Sequence, residues 1–162
     1  MNYFELLGLS PNFSIEVPLL ESAYFAAQRQ FHPDRYAAKP EPERLKAAQA
    51  SADANKAYRV LKDPLSRAQH LLALEGVVVG TDHDSIKPSQ ALLMEVMELR
   101  ETPPDAKTLD KLRGESITRI ASYFEAKRWP EMAEETLRLG YLMKAYHDII
   151  LRRGEAESAG SH

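Results

Sequence analysis

His32-Pro33-Asp34 interrupts two segments of the 162-residue chain that have the periodicity of helices. The first segment must end before Pro33, because the residue that precedes a proline is disfavoured in helical conformation. The second segment is rich in alanine and begins at about Pro42. Two helices with a short connection pack as an antiparallel hairpin. The tripeptide is therefore predicted to lie within residues 32–41, at the tip of a hairpin.

Apolar residues at three- and four-residue spacing define the two helices of this hairpin. The first is predicted to begin near Val17, and the second is predicted to end at Lys62. The predicted core-facing residues are Leu20, Tyr24, Ala27 and Phe31 in the first helix and Leu45, Ala48, Ala52, Asn55, Tyr58 and Leu61 in the second. A helical turn is predicted before the hairpin, from Tyr3 to Leu7. A further helix is predicted after it, from Pro64 to about Leu74, with Asp63 as its N-cap.

The second half of the chain contains three more helical segments, which Pro103-Pro104 and Trp129-Pro130 separate. They are predicted at residues 88–100, about 105–128 and 130 to about 152. Connections this short imply antiparallel neighbours, so we predict a three-helix bundle.

The predicted fold is all-α, with an N-terminal helical hairpin domain followed by a C-terminal three-helix bundle. Between them, glycine, threonine, aspartate and serine residues indicate a linker. From Gly154 onward the sequence has nothing to bury, so a disordered tail is predicted. The predicted boundaries are 1–75 for the hairpin domain, 76–87 for the linker, 88–153 for the bundle and 154–162 for the tail.

The composition limits the classes of function. Cysteine is absent, so the chain offers no disulfide, thiol nucleophile or thiolate ligand, and a reducing cytoplasm fits. The formal net charge is −3, and all of the acidic excess lies after residue 75. A near-neutral chain without a basic stripe argues against a nucleic acid as partner. We find no secretory signal and no apolar run long enough to span a bilayer, so we expect no membrane partner either.

The residues of His32-Pro33-Asp34 alone are open to three interpretations. In the first, the tripeptide is a loop that ends a helix, with Asp34 accepting backbone hydrogen bonds. In the second, His32 and Asp34 are a catalytic pair, which needs a nucleophile or a metal as its third member. No candidate nucleophile stands out, and the histidines lack paired metal spacing, so we predict no catalytic and no metal site. In the third interpretation, a rigid turn presents an imidazole and a carboxylate to another protein.

Three further segments give the tripeptide a context. They are Tyr3-Phe4-Glu5-Leu6-Leu7-Gly8, Gln28-Arg29-Gln30-Phe31 and Asn55-Lys56-Ala57-Tyr58-Arg59-Val60-Leu61-Lys62-Asp63-Pro64. This ordered set resembles a J-domain over about residues 1–75, which favours the docking interpretation. The resemblance implies a DnaK-type ATPase chaperone as partner, whose ATP hydrolysis the J-domain triggers. The implied chaperone-binding residues are His32, Pro33 and Asp34, with Arg29 and Arg35 as flanking charges.

The helix before the tripeptide departs from the general J-domain pattern. Arg29 is the only basic residue between Val17 and Phe31, whereas many general J-domains have several lysines and arginines there. Fewer charges weaken long-range electrostatic steering. The departure therefore suggests a dedicated chaperone rather than the general one.

Residues 92–101 carry apolar side chains on two sides of one predicted helix. At about 100° per residue, Leu92, Val96 and Leu99 form the expected core stripe. A separate sector contains Leu93, Met94 and Met97, flanked by Glu98, Arg100 and Glu101. Either the linker or the J-domain covers this second sector, or it is an exposed protein-binding patch with a charged rim. Tyr141, on the last helix, is either a core residue or a further anchor of that patch.

The chain resembles a narrower family than J-domain proteins in general. The features are Tyr-Phe-x-Leu-x-Gly-Leu at residues 3–9, Pro64-Leu-x-Arg67-Ala68-x-x-Leu71-Leu72, and Leu93-Met94-Glu95-x-x-Glu98-Leu99-Arg100-Glu101. Together they resemble the HscB family, co-chaperones of iron–sulfur cluster assembly, over about residues 1–152. The resemblance implies that the bundle binds the scaffold IscU and that the J-domain delivers it to the chaperone HscA. The implied scaffold-binding residues are Leu93, Met94, Met97, Glu98, Glu101 and Tyr141.

This resemblance carries further expectations. Met97 and Tyr141 stand where leucine and phenylalanine are expected, and both keep apolar bulk, so the patch should persist. The protein is expected to be neither an enzyme nor a cofactor carrier. A bacterial cytoplasmic form fits, because the cysteine extension of some eukaryotic members and a transit peptide are absent. The alternative is a J-domain co-chaperone that delivers a different client to a DnaK-type chaperone.

Overall fold

The computed structural model describes residues 1–80 and 85–160, with Ala159 described in its backbone only. The helices are α1 (Tyr3–Leu6), α2 (Val17–Phe31), α3 (Glu41–Lys62), α4 (Pro64–Leu74), α5 (Gln90–Glu101), α6 (Ala106–Glu125) and α7 (Trp129–Gly160). A 3-10 turn at Pro33–Tyr36 lies between α2 and α3. Within the described residues there is no β-strand, only an isolated bridge between Val79 and Ile86. The predicted all-α fold is confirmed.

The chain divides into two compact units, Met1–Leu74 and Glu75–His162. The predicted linker, residues 76–87, belongs to the second unit in this division, and residues 81–84 of it lie outside the described residues. Val79 is buried, and the backbone N–H of Ile86 donates to the carbonyl oxygen of Val78 at 2.8 Å. Backbone pairing therefore joins the two described segments of the linker, residues 76–80 and 85–87.

α2 and α3 form the predicted hairpin, and polar side chains join them. The hydroxyl of Tyr24 donates to Oδ1 of Asn55 at 2.6 Å. The amide of Gln28 donates to the same oxygen at 3.0 Å and accepts from the hydroxyl of Ser51 at 2.9 Å. The rings of Tyr24 and Tyr58 stack with centroids 4.3 Å apart. These contacts fix one helix against the other and so position the loop at the tip.

The prediction of the core-facing side of α3 is wrong in part. Leu61 is buried as predicted, but Leu45 is 62% exposed. The other buried residues of the helix are Ala47, Ala54 and Ala57, and the predicted core residues Ala48, Ala52 and Asn55 are exposed. Alanines lie on every side of this helix, so its periodicity does not single out one face. The buried face is the one whose small side chains let α1, α2 and α4 pack closely against α3.

Capping residues set several helix ends. Asp63 accepts a backbone N–H of α4 at 3.3 Å, which confirms its prediction as an N-cap. α5 begins at Gln90, later than predicted, because the hydroxyl of Ser89 caps it. Asp105 caps α6 in the same way. α6 ends at Glu125 rather than 128, because Lys127 has a φ of +56°, in the left-handed region that ends a helix.

The second unit is built around α7. α6 packs against it as its main partner, and α5 packs against it through a shorter contact. The predicted three-helix bundle is confirmed. Its buried apolar residues include Leu92, Val96, Leu109, Ile120, Met132, Leu139 and Leu142.

The prediction of a disordered tail is wrong for the described residues, because α7 continues to Gly160. Extending a helix adds one hydrogen bond for each residue fixed and needs no new nucleus. Glutamate and alanine, which dominate residues 155–159, are good helix formers. Residues 161–162 lie outside the described residues.

Candidate protein-binding surfaces

His32 ends α2 and also begins the 3-10 turn. Its Nδ1 accepts the backbone N–H of Asp34 at 3.2 Å, and its carbonyl oxygen accepts the N–H of Arg35 at 3.0 Å. Pro33 fixes the backbone between them, because its ring restricts φ to about −65°. The tripeptide is therefore held by its own hydrogen bonds in one conformation.

This conformation determines what the tripeptide offers to a partner. Because Nδ1 of His32 accepts a hydrogen bond, the proton of the neutral ring lies on Nε2. The side chain of His32 is 57% exposed and that of Asp34 is 92% exposed. Oδ2 of Asp34 lies 3.6 Å from Nδ1 of His32. The turn thus presents an imidazole and a carboxylate close together, and both are accessible to a partner.

The structure brings the five predicted chaperone-binding residues to one end of the hairpin. Arg29 lies in the last turn of α2, and Arg35 lies in the 3-10 turn beside the tripeptide. Both side chains are exposed. Among the described residues, neither has a carboxylate within 4.0 Å, so both charges are available to a partner.

A pocket next to the tripeptide is not predicted by the sequence pattern. Its volume is about 380 Å³, and its lining includes Pro33, Tyr36, Arg44 and Leu45. The periodicity of α3 assigns Leu45 to the core of the hairpin, and for that reason it does not predict this pocket. The exposure of this leucine beside Pro33 adds apolar surface to the end of the hairpin that carries the tripeptide.

The second candidate surface lies on α5. This helix buries Leu92 and Val96, which confirms the predicted core stripe at those two positions. On the opposite side, Leu93 is 44% exposed, Met94 is 61% exposed and Met97 is 58% exposed. Three neighbouring large apolar side chains with this exposure form an apolar surface that suits a protein partner. We refer to Leu93, Met94 and Met97 as the apolar face of α5.

A groove of about 850 Å³ runs beside α5 and is lined by all three helices of the unit. The predicted residues Glu98, Glu101 and Tyr141 line it, whereas the apolar face does not. The six predicted scaffold-binding residues therefore form two groups, one outward on α5 and one in the groove. Tyr141 is half-buried, which is intermediate between the two alternatives predicted for it.

Glutamate side chains outnumber arginine side chains in the lining of the groove. Arg138 is paired with Glu95 and Glu135, and Arg119 is paired with Glu135. The hydrogen bond to Glu95 raises the pKa of the Arg138 guanidinium above its ordinary value, and the charges of Glu135 and Glu95 act in the same direction. Among the described residues, Glu98 and Glu101 have no basic side chain within 4.0 Å. The groove is therefore acidic and favours a partner with cationic side chains.

Membrane-spanning helices and clusters of metal ligands are both absent from the part of the chain that the structure describes. None of its helices combines the length and the apolar content that crossing a bilayer requires. Within residues 1–80 and 85–160, no three or more histidine, aspartate or glutamate side chains converge on a position for a metal ion.

Known proteins resemble the chain at both levels, sequence and structure. The DnaJ domain family matches residues 2–70. The co-chaperone protein HscB homolog of Vibrio vulnificus strain YJ016 is 34% identical over 165 residues, which cover 93% of this chain and 96% of the relative.

Two solved structures have the same fold over nearly all of the chain. The chaperone HscB from Vibrio cholerae superposes with a TM-score of 0.81 at 30% identity and covers 96% of this chain and 99% of its own. The human co-chaperone protein HscB superposes with a TM-score of 0.83 at 25% identity and covers 94% of this chain and 82% of its own. The agreement extends over both units, not the N-terminal one alone.

Proposed function

The chain belongs to the HscB family of co-chaperones, and from this premise we propose that it joins an HscA-type ATPase chaperone to an IscU-type iron–sulfur scaffold. Its N-terminal unit is a J-domain. The observation that supports the proposal is that two separate units each expose a surface suited to a protein partner.

The J-domain surface is proposed to act on the chaperone. His32, Pro33 and Asp34 form its centre, and Arg29 and Arg35 supply flanking positive charge. The exposure of the His32 and Asp34 side chains supports direct hydrogen bonds to the ATPase. A J-domain accelerates hydrolysis only if it binds the hydrolysis-competent state of the chaperone more tightly than the resting state. The chemistry belongs to the chaperone, and this protein shifts its conformational equilibrium.

The surface on the second unit is proposed to bind the scaffold. The apolar face of α5 supplies desolvation energy, because each fully buried methionine or leucine contributes about 1.5–3 kcal/mol. Methionine side chains adapt to the shape of a partner. Glu98 and Glu101 would orient a scaffold surface that carries basic residues, and Tyr141 would anchor it in the groove.

The two surfaces together make the protein an adaptor. A scaffold bound to the second unit is held near a chaperone bound to the J-domain, which raises its local concentration there. Hydrolysis then follows capture of the scaffold. The iron–sulfur cluster is cargo of the scaffold, and the chain has no cysteine thiolate with which to hold it. We propose that this occurs in the cytoplasm of a bacterium, in line with the source of the two Vibrio relatives.

The deciding experiment measures steady-state ATP hydrolysis by an HscA-type chaperone with this protein, with and without IscU. We expect stimulation that IscU increases synergistically, and we expect the His32→Gln variant to lose it. Stimulation without any effect of IscU would keep the J-domain and point to a different client. An absence of stimulation would refute the chaperone-binding role of the tripeptide.

A further inference from the structure

A chain of ion pairs crosses the three helices of the second unit. Nε of Arg119 on α6 donates to Oε1 of Glu135 on α7 at 2.9 Å, and Nη2 of the same arginine lies 2.9 Å from that oxygen. The other oxygen of Glu135 accepts from Nη1 of Arg138. Arg138 then reaches α5, where Nε donates to Oε2 of Glu95 at 2.9 Å and Nη2 donates to Oε1 at 3.2 Å.

Glu135 is the buried centre of this chain. Its side chain is only 4% exposed, so its charge has left water and depends on its two arginines. Arg119 holds one oxygen of Glu135, and the other oxygen accepts from Nη1 of Arg138. Glu135 therefore fixes the orientation in which the Arg138 guanidinium contacts Glu95. The contact with Glu95 is bidentate, and a bidentate pair fixes direction as well as distance.

α5 is held by less packing than α6 and α7, so a directional contact constrains it more than it would constrain either of them. α6 and α7 pack extensively against each other, whereas α5 has a shorter contact with α7 and buries only Leu92 and Val96 among its described side chains. The groove separates much of α5 from α6. Two buried side chains one turn apart place a helix on its neighbour but constrain its rotation weakly. A directional bond at Glu95, between those two residues in sequence, constrains that rotation.

We propose that Arg138 is a positioning residue that sets the rotation of α5 through Glu95 and thereby aims the apolar face at the scaffold. The proposal rests on the function proposed above for that face. Glu95 and Met94 are adjacent on α5, and Tyr141 follows Arg138 by one turn on α7. The ion pair thus joins α5, which carries five of the six predicted scaffold-binding residues, to α7, which carries the sixth, Tyr141. Arg138 itself need not touch the scaffold.

The ion pair is not primarily a source of stability. The side chain of Glu95 is 52% exposed, and such partly solvated pairs contribute little to the free energy of folding. Replacing Glu95 is therefore expected to leave the unit folded and to change the position of α5. That difference separates a positioning role from a structural one.

The test is a double-mutant cycle read out as affinity for an IscU-type scaffold. Glu95→Gln and Arg138→Gln are each expected to weaken binding about tenfold, and the double variant is expected to bind no more weakly than either single variant. Arg138→Lys, which keeps the charge and loses the bidentate geometry, is expected to recover only part of the affinity. Arg152→Gln is the matched control, because Arg152 is an exposed arginine of α7 that does not line the groove, and the substitution is expected to leave affinity unchanged.

A second measurement reports α5 directly. Amide hydrogen exchange of the free full-length protein is expected to accelerate in α5 in both single variants. In Glu95→Gln, which leaves both arginines on the buried Glu135, exchange in α6 and α7 is expected to stay unchanged. Additive losses of affinity would mean that the two side chains contact the scaffold independently and would overturn the proposal. Unchanged exchange in α5 would overturn it as well.

Failure of the proposed function would look different. If the wild-type protein did not bind the scaffold, or if Leu93→Ala with Met97→Ala left binding intact, the apolar face would not be the scaffold site. The exchange measurement would still show whether Arg138 fixes α5. If exchange in α5 accelerated in that case, Arg138 would position α5 without affecting scaffold binding. That outcome would overturn the part of the proposal that concerns the scaffold.

Discussion

The guanidinium of Arg67 donates from Nη1 to the carbonyl oxygen of Phe13 at 2.7 Å and so joins residues 54 positions apart. Its Nε donates to the carbonyl oxygen of Leu61 at 2.8 Å, and Nη2 donates to that of Lys62 at 3.4 Å. α3 ends at Lys62, and the last carbonyl groups of a helix have no partner within it. Arg67 thus caps α3, and its guanidinium lies 5.3 Å from the ring centroid of Phe13. Burial lowers its pKa from the ordinary value.

Replacing Arg67 with methionine is expected to destabilise the first unit by about 2–4 kcal/mol, because buried carbonyl groups would lose their donors. Hydrogen exchange of the amides of α3 and α4 measures the loss. Exchange in α6 and α7 serves as an internal reference. Arg59→Met, at an exposed position on α3, is the matched control and is expected to change stability by less than about 0.5 kcal/mol. Equal effects of the two substitutions would contradict the capping role.

His32→Asn is expected to reduce stimulation of the chaperone ATPase to the rate of the chaperone alone. Asparagine keeps an acceptor near the position of Nδ1, so the bond from the N–H of Asp34 can persist, but it lacks Nε2–H. Affinity for the scaffold is expected to stay unchanged. His147→Asn, at an exposed histidine of α7, is the matched control and should retain full stimulation. Retained stimulation in His32→Asn would show that Nε2 is not the contacting atom.

Leu93→Ala combined with Met97→Ala is expected to produce the opposite pattern. Loss of about 2–4 kcal/mol of apolar contact would weaken scaffold binding ~30- to 1000-fold, while basal ATPase stimulation without scaffold persists. Isothermal titration with the scaffold measures the first effect. Ile150→Ala with Leu151→Ala removes two similarly exposed apolar residues of α7 and is expected to leave the affinity unchanged. An equal loss in both double variants would mean that general apolar surface, not the face of α5, binds the scaffold.

The sequence predicts local features more reliably than it predicts which side of a helix is buried. Prolines and capping residues act on their immediate neighbours, so the end of α2 before Pro33 and the cap at Asp63 are predicted correctly. The side of α3 that packs depends on three neighbouring helices, and alanine on every side gives no preference. The spacing therefore assigns Leu45 to the core, although this leucine is exposed.

The candidate sites show the same contrast between features that follow from local sequence and features that depend on how the helices pack. Periodicity places Met94 and Met97 away from the side of α5 that Leu92 and Val96 bury, but it leaves open whether another segment covers them, and the structure shows both exposed. The pairing of Glu135 with two arginines does not follow from periodicity, because a carboxylate near the start of α7 equally suits an interaction with the helix dipole. Only the packing of α6 against α7 brings Arg119 to it. Ion pairs between residues far apart in sequence leave no pattern in a single sequence.

His70 is the residue through which pH is expected to act on the first unit. Its Nε2 accepts the backbone N–H of Tyr3 at 3.1 Å, and its ring lies 4.7 Å from the ring of Tyr3. Burial lowers its pKa below the ordinary value of 6.5, and the N-terminal ammonium group lowers it further. The folded unit therefore holds the neutral ring that the hydrogen bond from Tyr3 requires.

The sign of the pH effect follows from this shift. Well above pH 6.5 the ring is neutral in the folded and the unfolded chain, so His70 adds no pH dependence there. Below pH 6.5 the unfolded chain takes up a proton that the folded unit resists, so the free energy of unfolding falls as the pH falls toward the lower pKa. His70→Gln keeps an acceptor and does not titrate, so the variant should lose this part of the slope. Hydrogen exchange of α3 and α4 between about pH 5 and 7, above the carboxylate range, measures the difference after correction for the intrinsic exchange rate. Identical slopes in the two proteins would show that burial and the hydrogen bond from Tyr3 do not hold His70 neutral in the folded unit.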